Sequence, residues 1–216
     1  MNKLLIFILT ILTIFSLFST CVSAHVPYFE HFDFTEENPF VVRKIVSQSK
    51  AVYSWLEHNG TEPCDDIDVY KFKIIRPMKM YVELIVPVID DYYENFVPWF
   101  AVVGPGLPNP GQELPFEIPP GYGAIIKENV EPGETRETFY EFFGNKSYYK
   151  GPVFYEKLNV KGTYFVYCWD PHKSGGDYTL VLGNLEIWGP LDIIRALIYT
   201  PLIRKGLELH IQQDAY

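Results

Sequence analysis

The chain consists largely of short segments in which apolar and polar residues alternate. Tyr70, Phe72 and Ile74 alternate with two lysines, a period of two that is typical of a strand with one face in solvent. Residues 97–103 form a mainly apolar run, as a central strand requires. Strands are predicted at residues 51–56, 66–75, 80–86, 97–103, 124–127, 135–143, 153–158, 163–170 and 177–182.

Turn residues lie between the predicted strands. Pro132-Gly133, Gly144-Asn145 and Gly151-Pro152 are three of these signals. Many short strands with regularly spaced turns are typical of an antiparallel sandwich or barrel. Residues 104–123 form one long connection that is rich in Pro and Gly, and long loops of compact domains are often functional.

The end of the chain has a helical period. Leu191, Ile194, Leu197 and Ile198 share one helical face after a Gly-Pro pair that suits a helix start. Pro201 is expected to kink or split this helix. The helix either caps the sandwich or offers its apolar face to another protein.

The first 24 residues have the three parts of a secretory signal peptide. Lys3 supplies positive charge, residues 4–18 are almost entirely apolar, and Val22-Ser23-Ala24 offers a cleavage site. The apolar run is about 15 residues long, shorter than the ~20 of a membrane-spanning helix. We therefore expect cleavage, secretion and His25 as the new N-terminus. An uncleaved membrane tether and lipid attachment at Cys21 are the alternatives.

The resulting division of the chain is a signal peptide (1–24), a β-sandwich domain (25–186) and a C-terminal amphipathic helix and tail (187–216). The next most apolar stretch, residues 191–211, is interrupted by charged residues. No membrane span is therefore expected in the mature chain. The formal net charge is −9 at pH 7. An acidic surface repels nucleic acid and anionic membranes.

Cysteines and sequons agree with an extracellular location. Cleavage would remove Cys21 and leave Cys64 and Cys168, and an even pair in an oxidising compartment predicts a disulfide between them. Asn59-Gly60-Thr61 and Asn145-Lys146-Ser147 are predicted N-glycosylation sites.

Three short motifs follow one another in the strand region. They are Asp68-Val69-Tyr70-Lys71-Phe72, Gly162-Thr163-Tyr164-Phe165-Val166 and Gly176-Asp177-Tyr178-Thr179-Leu180. This order of D-V-Y-x-F, G-T-Y-x-V and G-x-Y-T-L resembles the bacterial pre-peptidase C-terminal domain family over roughly residues 50–183. The resemblance implies a secreted, jelly-roll-like β-sandwich and carries over no catalytic residue.

Motifs for hydrolytic catalysis are absent from the sequence. There is no G-x-S-x-G or H-E-x-x-H. Asp170, His172 and Ser174 are too close in sequence to converge as a triad, so we interpret them as a polar turn.

A free N-terminal His25 suggests one enzyme hypothesis. Copper-dependent polysaccharide monooxygenases, which this chain resembles in size and secretion, chelate copper through such a residue. The second histidine ligand here would be His172 or His58.

Calcium is the other metal considered. Asp65, Asp66 and Asp68 place three carboxylates where a predicted strand begins, and Asp90-Asp91 lies in another loop. Calcium prefers oxygen ligands of this kind. A solvated acidic strand edge without a metal is the alternative.

Aromatic residues in or beside loops are the candidate binding residues. Their rings can stack on sugars or anchor protein contacts, and packing within the fold is the alternative. The set comprises Tyr92, Tyr93, Trp99, Tyr122, Tyr148, Tyr149 and Trp169. The sequence therefore favours an all-β, antiparallel, jelly-roll-like sandwich with a C-terminal helix and a non-catalytic binding or structural role. Its partner is expected to be an extracellular protein or a glycan, with a secreted enzyme as the alternative.

Overall fold

The structure is a computed structural model that describes residues 25–43, 45–57, 63–89 and 93–210. The predicted signal peptide lies outside these residues. Within them, no helix is long and apolar enough to cross a membrane. The elements are β1 (Val26–Phe29), β2 (Phe40–Val41), β3 (Lys50–Leu56), β4 (Ile67–Ile74), β5 (Met78–Pro87), β6 (Trp99–Pro105), β7 (Tyr122–Lys127), β8 (Thr138–Glu141), β9 (Lys146–Leu158), β10 (Gly162–Trp169), β11 (Gly176–Leu182) and helix α1 (Pro190–Arg204).

The strands form two sheets that share one apolar core. The six-stranded sheet has the order β1-β3-β11-β5-β9-β8, and the five-stranded sheet has the order β2-β4-β10-β6-β7. The predicted all-β sandwich with a C-terminal helix is confirmed. Its pairing is antiparallel except at one edge of each sheet, where β1 pairs parallel with β3 and β2 pairs parallel with β4. Residues 25–39, here called the lead-in segment, contain no predicted strand; they supply β1, and β2 begins directly after them.

Side chains alternate between two apolar layers, as the sequence pattern predicts. Tyr164 and Val166 of β10 are buried in the main core, whereas Phe165 and Tyr167 face the other side of the five-stranded sheet. Gly104 of β6 lies against the Tyr164 ring, where a Cβ atom would come within 2.1 Å of a ring carbon. A side chain at position 104 would therefore displace the core tyrosine.

A chain of hydrogen bonds crosses the main core. The hydroxyls of Ser54 and Tyr70 are 2.7 Å apart, and those of Tyr70 and Tyr178 are 2.8 Å apart. Tyr178 then donates to a carboxylate oxygen of Asp68 at 2.5 Å. Because Ser54 and Tyr178 lie on one sheet and Tyr70 and Asp68 on the other, the network joins the sheets and satisfies hydroxyls that would be costly to bury alone.

The Pro/Gly-rich connection packs on the outer face of the five-stranded sheet. Its Phe116 ring stacks on Tyr167 with centroids 4.0 Å apart and meets Trp169 edge-on. Leu114 and Ile118 contact the same apolar layer. The loop therefore covers a hydrophobic sheet face.

Helix α1 begins after Gly189, as predicted. The Asp192 carboxylate accepts the Gly189 N–H at 3.0 Å and caps the first turn. The helix continues through Pro201 to Arg204, so the expected split does not occur. Pro201 lies in the last turn with its ring exposed, and its missing N–H removes one intrahelical hydrogen bond without ending the helix.

Helix α1 packs on the sandwich through its C-terminal end. Ile203, in the last turn, is fully buried against Ala51 and Tyr53 of β3, so the C-terminal end caps the six-stranded sheet. The predicted apolar face remains exposed instead of packing on the sandwich. Its residues are Leu191, Ile194, Leu197 and Ile198.

The predicted disulfide is not formed in the structure, where Cys64 and Cys168 are both buried free thiols. Cys168 lies opposite Asp68 in the β4–β10 ladder. Cys64 precedes β4 and donates its backbone N–H to the Lys173 carbonyl, and both cysteines belong to the main apolar core. Burial raises the pKa of Cys64 to about 11 and that of Cys168 well above its ordinary value. Both behave as small apolar side chains.

Candidate binding site

A pocket of about 400 Å³ lies on the outer face of the six-stranded sheet. Alternate residues of β3, β5, β9 and β11 form its floor, because every second side chain of a strand reaches the same face. Tyr53, Tyr81, Tyr148 and Thr179 each come from a different one of these strands. The pocket is thus assembled from residues that are far apart in the sequence.

Three glutamates contribute carboxylates to the pocket lining: Glu83, Glu141 and Glu186. Tyr81 donates its hydroxyl to Glu83 at 2.5 Å. Glu141 accepts the backbone N–H groups of Phe143 at 2.7 Å and Gly144 at 2.5 Å. These bonds orient two carboxylates while leaving each further lone pairs for a ligand.

The aromatic side chains that line the pocket differ in solvent exposure. Tyr53 and Tyr148 are buried at the floor, whereas Tyr81 and Phe139 are half-buried and present ring surface to the cavity. Burial raises the pKa of the Tyr81 hydroxyl, and its bond to Glu83 raises it further. Tyr81 therefore stays protonated and keeps its hydrogen bond at physiological pH.

His25 lies at the edge of this pocket, immediately before β1. Its Nδ1 shares a short hydrogen bond with the Ser49 hydroxyl. Burial lowers the pKa of His25, and the nearby Glu186 carboxylate partly offsets that effect. The imidazole is therefore neutral at physiological pH.

The histidines considered for copper are not brought together in the described residues. His25 is next to the start of β3, since Val26 pairs with Lys50. His172 lies in the turn before β11, which meets the other end of β3 where Gly176 pairs with Leu56. Six residues of strand separate these ends, roughly 20 Å. His58 lies outside the described residues.

The turn containing His172 has the polar character expected from the sequence. The Asp170 carboxylate accepts the backbone N–H of His172 and both the N–H and hydroxyl of Ser174. These bonds close the connection between β10 and β11.

Of the predicted aromatic binding residues, Tyr148 lines the pocket. Trp99, Tyr122 and Trp169 pack in the apolar layer beneath the Pro/Gly-rich loop. Their position agrees with the packing alternative and follows from β6, β7 and β10 being neighbouring strands.

The remaining aromatic candidates lie elsewhere. Tyr93 packs in the main core. The Tyr149 ring faces the Arg136 guanidinium at 3.9 Å, and Arg136 in turn donates to backbone carbonyls before β6. Tyr92 lies outside the described residues.

The three predicted calcium ligands separate in the structure. Asp65 is exposed and pairs with Lys173 at 2.5 Å, and Asp66 accepts a backbone N–H from Glu57. Asp68 is fully buried, as the alternation along β4 requires. Asp90 and Asp91 lie outside the described residues.

One of the two sequons falls in the described part of the chain. Asn145 is exposed in the turn between β8 and β9, and its backbone has a positive φ of 57°, which asparagine tolerates well. This is the surface position that glycosylation requires. Asn59 lies outside the described residues.

No family model matches the chain, and no curated protein is detectably similar to it. The resemblance to pre-peptidase C-terminal domains therefore stays a prediction, and the functional inference depends on the pocket geometry.

Proposed function

We propose that the chain is a secreted, non-catalytic binding domain whose outer-face pocket holds a glycan. The observation that carries this proposal is the convergence of half-buried aromatic rings and oriented carboxylates in one open pocket of about 400 Å³. Ligand pockets commonly have volumes of this order. The signal-like N-terminus and the exposed Asn145 sequon support an extracellular role.

The chemistry of the lining matches that of a neutral sugar. A sugar ring has apolar C–H faces, for which Tyr81 and Phe139 provide aromatic surface. It also has hydroxyls that donate hydrogen bonds, for which Glu83 and Glu141 provide acceptors. Three carboxylates outnumber the one lysine of the lining, Lys150, so charge repulsion disfavours an anionic ligand.

The experiment is a glycan array probed with residues 25–216, followed by titration calorimetry with the best glycan. Tyr81→Ala removes an aromatic face, and Glu83→Gln removes a charged acceptor. We expect each variant to weaken binding by about tenfold or more, because a charge-assisted hydrogen bond or a stacked ring contributes about 1–3 kcal/mol.

Phe142→Ala is the matched control. Phe142 is 72% exposed and adjoins the pocket residues Glu141 and Phe143, but it does not line the pocket. Its removal should leave affinity unchanged. Absence of any bound glycan, or equal affinity for all four proteins, would reject the pocket as the glycan site. A partner captured through α1 would then favour the protein-binding alternative.

A further inference from the structure

Three carboxylates from distant parts of the chain meet beside the main core. Glu30 follows β1, Asp33 lies three residues later, and Asp68 belongs to β4. One oxygen from each lies within 4.8 Å of the other two. This cluster joins the lead-in segment to the five-stranded sheet and is separate from the glycan pocket.

The charged neighbours of this cluster are acidic. Asp33 is a charged neighbour of Glu30, and Asp66 and Glu57 are charged neighbours of Asp33. Their main charged influences include no lysine or arginine. Like charges at this separation repel strongly in a partly dry site, so a positive group would stabilise the cluster.

Asp68 gives an independent indication of what is needed there. Its side chain is fully buried. One carboxylate oxygen accepts the Tyr178 hydroxyl, whereas the other, Oδ1, has no hydrogen-bond donor in the described part of the chain unless it shares a proton with Glu30. A buried carboxylate oxygen without a donor is costly, and a cation beside it would remove that cost.

Glu30 is already oriented for coordination. Its two oxygens accept the backbone N–H groups of Phe34 at 3.0 Å and Trp55 at 3.2 Å. Each oxygen retains a second lone pair. Asp33 is exposed, which leaves one side of the cluster open to an ion and its water ligands.

We propose that Glu30, Asp33 and Asp68 bind a calcium ion. Calcium accepts six to eight oxygen ligands in flexible geometry, including carboxylates bound through one or both oxygens. Three carboxylates supply the charge, and water can complete the shell through the open side at Asp33. An all-carboxylate set without histidine or cysteine disfavours zinc, and magnesium prefers to keep most of its water.

The bound ion would fasten the lead-in segment to β4. Glu30 contacts the backbone of β3 through Trp55, while Asp68 reaches the network through Tyr178 and Tyr70. A calcium ion would therefore connect both sheets at one end of the sandwich, and its expected effect is an increase in stability.

The test uses residues 25–216 freed of metal with a chelator. Calcium titration at pH 7.5 should give a single binding event and raise the melting temperature by several degrees. Terbium, which replaces calcium in such sites, should luminesce on tyrosine excitation because Tyr178 contacts Asp68. Asp33→Asn should lower calcium affinity at least tenfold and remove the melting shift, and because Asp33 is exposed this variant should fold.

Asp65→Asn is the control, since this substitution removes the same charge at an exposed position outside the cluster. It should bind calcium as the parent protein does. The proposal is overturned if the parent shows neither binding heat nor a melting shift at millimolar calcium. It is also overturned if the two variants bind calcium equally, or if magnesium gives the same affinity and shift as calcium.

Discussion

The indole of Trp55 stacks on the imidazole of His210, with ring centroids 3.5 Å apart and planes 21° from parallel. His210 also pairs with the buried Asp177 carboxylate at 2.9 Å. Just before it, the buried Glu208 carboxylate pairs with Lys146 of β9. The segment that follows α1 is therefore anchored to the six-stranded sheet by specific polar and aromatic contacts.

Removal of residues 187–216 should abolish or severely weaken folding. The deletion exposes the sheet face under Ile203 and leaves Asp177 and Lys146 without these partners. The substitution Ile203→Ala should cost about 2–5 kcal/mol, because it creates a cavity at a fully buried position. Urea unfolding followed by circular dichroism measures both effects.

Leu197→Ala is the matched substitution on the same helix. Leu197 is 71% exposed, so its loss should change the free energy of unfolding by no more than about 0.5 kcal/mol. A cost comparable to that of Ile203→Ala would mean that the exposed helical face packs on the sandwich in solution.

Stability in the presence of a chelator should fall as pH rises from about 4.5 to 8. Burial raises the pKa of Glu30 from 4.5 to about 8, so over this window the folded protein retains a proton that the unfolded chain has lost. The loss is on the order of 3–5 kcal/mol. Melting temperatures measured across the window test the prediction.

Glu30→Gln should flatten this pH profile, because the amide does not titrate. Asp68, whose pKa burial also raises, would retain part of the slope. If Glu30→Gln and the parent protein have the same profile, the titrating group is another residue.

The folded protein should contain two thiols that react slowly. Their raised pKa values leave little thiolate at pH 8, and both side chains are buried. We expect a thiol reagent to label residues 25–216 slowly in the native state. In denaturant without reductant, the same reagent should rapidly label both thiols. No labelling in denaturant, with Cys64 and Cys168 peptides linked, would establish the disulfide that the sequence predicts.

Phe116→Ala should destabilise the protein by roughly 1–3 kcal/mol, because its ring stacks on Tyr167 and partly covers the outer sheet face. The exposed neighbour Glu117 provides the control, and Glu117→Ala should be nearly neutral. Chemical unfolding of both variants measures the difference. Equal stability would show that the loop does not pack on the sheet in solution.

The strands were the most predictable part of the molecule, because alternation along β4 and β10 records which side chains face the core. The start of α1 was also predictable from Gly189-Pro190 and Asp192. The strands β1 and β2 were not, because they are short edges whose partners lie elsewhere in the sequence. The expected split at Pro201 did not occur, because the proline falls in the last turn of a helix whose end the sequence pattern did not locate.

The candidate sites were less predictable, because both depend on which strands are neighbours. Asp65, Asp66 and Asp68 are adjacent in sequence, yet alternation sends only Asp68 inward, where Glu30 and Asp33 arrive from the lead-in segment. No strand was predicted before Glu30 and Asp33, so the acidic character of this segment was the available signal. Likewise, the sequence pattern shows Tyr81 and Glu83 only as residues of a strand. Their place in a pocket depends on β5 lying between β9 and β11, which the pattern does not predict.

Contacts between β1 and α1 connect the two ends of the described chain. Arg195 donates to the Tyr28 hydroxyl, and the Phe29 and Tyr199 rings stack at 4.4 Å. Arg195 and Tyr28 are 167 positions apart in the sequence, so β1 is synthesised long before its helical neighbour. Such long-range closure slows folding and lengthens the exposure of unpaired strand edges. Docking of α1 on β1 is therefore expected to be a late step in folding.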